Sequence, residues 1–177
     1  MYFTDEYSIK STWAYILSLF DIEVSRGKPK ESKKEFWTVQ LDYAKKVYSE
    51  DVYNSKRKDE IRKLFEDIKK DAKNDTEIII VIPIQHIDLL KLEYGDTVYK
   101  TYVDYMQMLT DIFGTVHYLA YTDDVSWDNS AFDDPFHCNN ESVYIENLFN
   151  SGSHIILNCN NVINQLESIK LKIKEHE

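Results

Sequence analysis

The chain has 177 residues, of which 43% are apolar and 29% are charged, and its formal net charge is −10. This length and composition predict one globular domain that can bury a core. The negative charge repels phosphate groups and therefore disfavours nucleic acids and anionic membrane surfaces as partners. No apolar run reaches the roughly 18 residues that a membrane span needs, so we expect no membrane span. The acidic, polar start of the chain lacks the pattern of a signal peptide, so the sequence as it stands predicts a cytoplasmic protein, and a preceding segment would change this to the cell envelope.

Apolar residues recur at three- and four-residue intervals in several segments, which is the helical spacing. The clearest case is residues 57–73, where one apolar stripe faces away from charges of alternating sign. Gly27 and Pro29 lie in a charged stretch, residues 23–34, that predicts an exposed loop. The predicted helices cover residues 8–20, 34–52, 57–73, 96–113 and 162–173.

Two short runs of β-branched and aromatic residues predict strands between these helices. Residues 77–83 read EIIIVIP and residues 115–121 read TVHYLAY, and a third candidate is HIILN at residues 154–158. An unbroken apolar run after an amphipathic helix is typical of a strand buried on both faces in a parallel sheet. We therefore predict an α/β fold, a three-layer α/β/α arrangement with a small parallel sheet. Two or three strands are fewer than the usual four to six, so we expect the sheet to be incomplete.

In parallel α/β sheets, ligands bind beyond the carboxyl ends of the strands. Gln85 and His86 directly follow the first strand, so we predict that they contact substrate, although a histidine at a strand end is more often a structural cap. The loop over residues 122–141 follows the second strand and is rich in acids, amides and aromatic residues. A loop of this length in a compact domain is usually functional or disordered, and its aromatic residues favour function.

Asp134 and His137 are three residues apart in this loop. If residues 134–137 form a tight turn, the carboxylate can accept a hydrogen bond from the ring and leave the second ring nitrogen as a base. Such a base can activate a serine nucleophile. The spacing alone has a simpler interpretation, an Asp-Pro turn followed by an ordinary histidine. We predict His137 as the catalytic base and Asp134 as the residue that orients it.

The run FDDPFHCN, which contains both residues, resembles the last conserved block of the SGNH (GDSL-type) hydrolases and acetyltransferases. The segment DEYSIKSTWAYILSLF and the strand end IIIVIPIQH occur in the order seen in a branch found with bacterial cell-surface polysaccharide genes. The resemblance covers roughly residues 5–150 and is one of pattern and order. It implies a flavodoxin-like fold and an esterase or O-acyltransferase acting on carbohydrate or an acylated sugar, with no cofactor.

The chain departs from that family in one respect, because it has no Gly-Asp-Ser block for the nucleophile. We therefore expect it to be the C-terminal part of a larger SGNH-like domain, with the serine supplied from elsewhere. An exposed sheet face would then be covered by missing strands or, in a homo-oligomer, by a second copy. The alternative is a non-catalytic module, a pseudoenzyme or assembly protein that binds polysaccharide or a protein partner.

Metal sites and a disulfide are weaker alternatives. The acids of the loop could bind Ca²⁺, but they lack the regular spacing of a calcium loop. A zinc site would need the adjacent residues His137 and Cys138 to face one ion together with His154 and Cys159. We therefore expect no metal. The two cysteines can form one disulfide or remain free thiols, and the sequence does not decide between these states.

Overall fold

The structure is a computed structural model that describes residues 33–49, 55–72 and 76–176, all within one compact unit. The predicted helix over residues 8–20 and most of the predicted loop over residues 23–34 lie outside the described residues. The helices are α1 (Lys33–Ser49), α2 (Ser55–Asp71), α3 (Ile87–Glu93), α4 (Tyr99–Phe113), α5 (Glu141–Ser151) and α6 (Val162–Glu175). The strands are β1 (Ile80–Ile82), β2 (Thr115–Tyr118), β3 (Phe132–Asp134), β4 (His137–Cys138) and β5 (Ile155–Asn158).

The main sheet has three strands in the order β1-β2-β5, with β2 in the centre. β1 and β2 are parallel neighbours, as predicted, and Val81 lies opposite His117. The prediction of an all-parallel sheet is wrong, because β5 runs antiparallel to β2. Ile155 at the start of β5 lies opposite Tyr118 at the end of β2. The chain thus enters β5 from the edge at which β2 finishes, whereas a parallel strand requires a return to the opposite edge.

Apolar side chains are buried on both faces of the main sheet. On one face, Val116 and Leu157 pack in a cluster with Met106 of α4 and Leu166 of α6. On the other face, a second cluster around Ile84 and Leu119 includes residues of α1, β3 and α5. Each large side chain that is fully buried stabilises the fold by about 1.5–3 kcal/mol relative to exposure. The chain is therefore an α/β protein with helices on both faces of a small mixed sheet.

Three tyrosine hydroxyls of the first cluster are joined by hydrogen bonds. The hydroxyl of Tyr118 lies 2.8 Å from that of Tyr94 and 3.0 Å from that of Tyr102. Burial raises the pKa of Tyr118 and of Tyr94 well above the ordinary value, so both phenols stay neutral. The hydrogen bonds satisfy hydroxyl groups that would otherwise be buried without partners. These tyrosines therefore belong to the core.

Part of the second sheet face is open to solvent. Ile156 lies opposite His117 on this face and is 45% exposed, and Ile79, just before β1, is 54% exposed. The expected apolar face that missing strands would cover stays a prediction. A second copy that covers it stays a prediction.

Two histidines connect this face of the sheet to α5. His154 Nδ1 donates to the carbonyl of Leu148, so its Nε2 accepts a hydrogen bond from His117 Nδ1 at 2.8 Å. The ring of Phe149 stacks on both imidazoles. Burial and the neighbouring His154 lower the pKa of His117 below its ordinary value of 6.5, although the charge of Glu77 opposes the shift. The histidine pair therefore helps to attach the end of α5 to β2.

Gly114 ends α4 with a positive φ of 86° and a ψ of −50°, and its N–H bonds to the carbonyl of Thr110. Gly152, which ends α5, has ordinary left-handed angles. We predict that Gly114→Ala destabilises the protein by about 1–3 kcal/mol, because a side chain strains this backbone region. Gly152→Asn should be nearly neutral, because asparagine tolerates the left-handed conformation. Urea unfolding of both variants measures the two losses in the free energy of unfolding. Equal losses would contradict the prediction that a side chain strains the backbone at Gly114 more than at Gly152.

We predict that the free energy of unfolding decreases as the pH falls below 6.5. Because the pKa of His117 is lower in the folded state, its contribution is present above the unfolded pKa and is lost as the pH falls through the folded pKa. His117→Gln should flatten this dependence. Urea unfolding of wild type and variant between about pH 8 and about pH 5 measures it. Parallel profiles of the two proteins would show that His117 does not contribute.

Candidate functional site

The pairing of β1 and β2 continues for a few residues beyond the two strands. The Leu119 N–H donates to the Ile82 carbonyl at 3.0 Å, and the Gln85 N–H donates to the Ala120 carbonyl at 3.1 Å. The segments after this point lie at the carboxyl edge of the parallel pair. This is the edge at which parallel α/β sheets bind ligands.

A tight turn at this edge joins β3 to β4, with Asp134 paired opposite His137. One carboxylate oxygen of Asp134, Oδ1, accepts the backbone N–H groups of Phe136 at 2.8 Å and of His137 at 3.1 Å. Aspartate favours turns because its side chain accepts hydrogen bonds from the backbone two residues ahead, and Pro135 restricts the backbone between them. The sequence Asp-Pro-Phe-His therefore sets its own local geometry.

The second oxygen, Asp134 Oδ2, lies 2.7 Å from Nδ1 of His137. This is the hydrogen bond predicted from the spacing, and it places the ring proton of neutral His137 on Nδ1. The basic lone pair is then on Nε2. Asp134 is 6% exposed, whereas the His137 side chain is 60% exposed. The pair thus combines a buried, fixed carboxylate with an imidazole at the surface, which is the arrangement of a general base and its orienting acid.

His86 lies behind this turn and is 2% exposed. Its Nδ1 accepts the backbone N–H of Asp88 at 3.1 Å, which caps the start of α3. The ring proton is therefore on Nε2, which donates to Asn129 Oδ1 at 2.7 Å. Burial lowers the pKa of His86 in spite of the nearby carboxylate of Asp88, so the ring stays neutral. The backbone N–H of His86 also donates to the carbonyl of Pro135 at 3.3 Å.

Two aromatic rings enclose the imidazole of His86. The ring centroid of Trp37 in α1 lies 4.6 Å away and that of Phe132 in β3 lies 5.2 Å away, both edge to face. The indole N–H of Trp37 donates to the Asp88 carboxylate at 3.1 Å. His86 thus links α1, α3 and the β3–β4 turn.

Gln85 is also buried, and its amide Nε2 donates to Glu93 of α3 at 3.1 Å. The charge of Glu93 contributes to the raised pKa values of Tyr94 and Tyr118, so this pair adjoins the tyrosine cluster. The prediction that Gln85 and His86 bind substrate stays a prediction. Their burial and internal hydrogen bonds favour structural roles, and for His86 this is the capping alternative that the sequence left open.

Three possible nucleophiles close to His137 in sequence already have other roles. Ser126 is fully buried, and its hydroxyl donates to the Ala120 carbonyl and accepts the Thr122 N–H. The hydroxyl of Ser130 donates to Asp128 at 2.6 Å. Burial and the charge of Glu141 raise the pKa of the Cys138 thiol to about 11, which keeps it protonated at neutral pH. These three side chains are therefore poor nucleophiles.

The residues of the metal alternatives are not brought together. No three or more His, Cys, Asp or Glu side chains in the described ranges are arranged to hold a metal ion. His154 bonds to His117, and Asp128 bonds to Ser130. Cys138 and Cys159 are both free thiols, which decides the disulfide question.

Sequence reasoning did not identify Asn129 and Trp37 as contributors to this site. Asn129 was one polar residue among many in the loop, and Trp37 is distant in sequence and lies on a predicted amphipathic helix. Their relevance depends on the tertiary contacts with His86. The sequence carried no signal that distinguishes either residue from its neighbours.

Helices that could span a membrane are absent from the part of the chain that the structure describes. No family model, curated protein or solved structure was found to match the chain. The geometry of the site is therefore the basis for a functional proposal.

Proposed function

We propose that Asp134 and His137 form the base half of an acyl-transfer site in an SGNH-like esterase or O-acyltransferase that acts on carbohydrate. The observation that carries the proposal is the 2.7 Å hydrogen bond between a buried carboxylate and an exposed imidazole. The resemblance of FDDPFHCN to the last SGNH block supports the reaction class. The position at the carboxyl edge of β1 and β2 also supports it.

In this mechanism a serine supplied from outside this chain is the nucleophile. His137 Nε2 removes the hydroxyl proton as the serine oxygen attacks the ester carbonyl, and Asp134 stabilises the imidazolium that forms. The same proton then passes to the oxygen of the leaving alcohol as the carbon–oxygen bond breaks. Water or a sugar hydroxyl attacks the acyl-serine in the second half-reaction, with His137 again accepting and returning a proton.

One observation favours the non-catalytic module as the second candidate. Ser126, Ser130 and Cys138 are unsuited to attack an ester, so none of these three neighbours in sequence supplies a nucleophile for the proposed base. A module that binds polysaccharide can retain such a turn as a structural feature. The two candidates differ in whether His137 activates a serine in the complete protein.

For the product of the complete gene that encodes this chain, we predict hydrolysis or transfer of acetyl groups from acetylated oligosaccharides. His137→Ala should lower kcat by about three orders of magnitude or more, because the base is lost. A fluorophosphonate probe should label one serine in the wild type but not in His137→Ala, and mass spectrometry identifies that serine. Ser130→Ala is the matched control and should retain labelling. Equal activity and labelling in His137→Ala would reject the base role, and oligosaccharide binding without turnover would favour the module.

For the 177-residue chain alone, we predict no hydrolysis of simple acetyl esters above the rate in buffer. The base and the orienting acid are present, but the loss of a triad nucleophile costs several orders of magnitude in rate. A spectrophotometric assay with p-nitrophenyl acetate measures this. Ester hydrolysis that His137→Ala abolishes would show that the chain itself supplies the nucleophile.

A further inference from the structure

The segment that carries Asp134 is held at both ends by one residue. At its start, Asn129 Oδ1 accepts the hydrogen bond from His86 Nε2 at 2.7 Å. At its end, the Pro135 carbonyl accepts the backbone N–H of His86 at 3.3 Å. Between these two points the chain passes through a short 3₁₀ turn, Asn129–Ala131, and then β3. His86 therefore bonds to residues that precede and follow the strand that carries the Asp134 carboxylate.

The side-chain contact requires one tautomer of His86. The Asp88 N–H lies 3.1 Å from Nδ1, closer than the Asp88 carboxylate at 3.5 Å, so Nδ1 is the acceptor and the ring proton is on Nε2, where it reaches Asn129. The opposite tautomer would place the His86 Nδ1–H against the Asp88 N–H. It would also leave Nε2 without a proton to donate to Asn129. The rings of Trp37 and Phe132 restrict rotation of the imidazole out of this position. The direction of the bond to Asn129 is thus fixed by the cap of α3.

The carboxylate of Asp134 has little freedom to compensate for a shift of its strand. Its Oδ1 accepts two backbone N–H groups, and its Oδ2 accepts His137 Nδ1–H at 2.7 Å. Hydrogen bonds weaken steeply when they bend, so a movement of β3 against β4 would weaken the bond between Asp134 Oδ2 and His137 Nδ1. The tautomer of His137 therefore depends on the position of the segment from residue 129 to residue 135.

We propose that His86 and Asn129 are positioning residues that fix the tautomer of His137 by holding the segment that carries Asp134. This inference rests on the proposed function for its catalytic meaning, because it concerns the base of that site. His86 and Asn129 act through Asp134 and do not contact the reacting atoms. Such support is typical of sites in which a catalytic group must keep one geometry.

The test measures the tautomer of His137 rather than activity. In the ¹⁵N-labelled chain at neutral pH, the ring nitrogen shifts of His137 report the fraction of neutral imidazole that carries its proton on Nδ1. Wild type should be almost entirely in the Nδ1–H form, and Asp134→Asn gives the reference for a disrupted pair. Asn129→Ala should lose at least half of the difference between these two references. Asn129→Asp keeps an oxygen acceptor for His86 and should retain the wild-type tautomer.

Ser130→Ala is the matched control, because it removes a neighbouring hydrogen bond of the same loop without changing the contact to His86. It should leave the His137 tautomer unchanged. If Asn129→Ala does not fold, Asn129→Gln, which displaces the amide by one methylene group, replaces it with the same expected loss. A folded Asn129 variant with the wild-type tautomer would overturn the proposal. This result is distinct from failure of the proposed function, which would appear as absent esterase activity of the complete gene product with the tautomer effect intact in the chain.

Discussion

The imidazole of His86 is the constraint on which the geometry of this site depends. It is almost completely buried, so each of its nitrogen atoms must find a partner within the protein. One partner is the first turn of α3, and the other is Asn129 in the loop that follows β2. A buried polar group that loses its partner costs about 1–3 kcal/mol. One nitrogen of His86 therefore fixes the loop to the end of β1, and the other nitrogen caps α3.

The same reasoning applies to the Asp134 carboxylate. A buried charge is tolerated when hydrogen bonds satisfy it, and the turn supplies two backbone donors and one imidazole donor. The two backbone donors belong to Phe136 and His137, which follow Asp134 in the chain. Local sequence therefore supplies the hydrogen-bond partners of the acid, whereas the position of its strand depends on His86, on Asn129 and on the pairing of β3 with β4.

Local patterns predicted much of this fold. The apolar spacing of α2 and α4 and the β-branched run of β1 depend on neighbours in sequence, and these elements are where the patterns placed them. The short helices α3 and α5 were missed. α3 is seven residues long, too short for a periodicity to stand out, and its cap is the side chain of His86, which is not a common capping residue.

The antiparallel direction of β5 could not be predicted, because it depends on the edge at which the chain re-enters the sheet and not on the composition of the strand. For the site, the spacing of Asp134 and His137 predicted their hydrogen bond, because four consecutive residues determine a turn. The internal roles of Gln85 and His86 depend on Glu93 and Asn129 and so require tertiary structure. The sequence thus identified the pair of Asp134 and His137. It did not identify the contact between His86 and Asn129 that supports the pair.

The turn that contains Asp134 and His137 affects how a complete site would assemble. Because the Asp-Pro-Phe-His turn satisfies the Asp134 carboxylate, the proposed base His137 would be oriented before a nucleophile arrives. A serine from another part of the protein needs only to approach the exposed side of His137, and no rearrangement of Asp134 is required. Preorganisation of this kind reduces the cost of bringing catalytic groups together. In the proposed acyl-transfer mechanism, the described residues therefore determine the direction and tautomer of the base, and the partner segment determines whether the nucleophile reaches it.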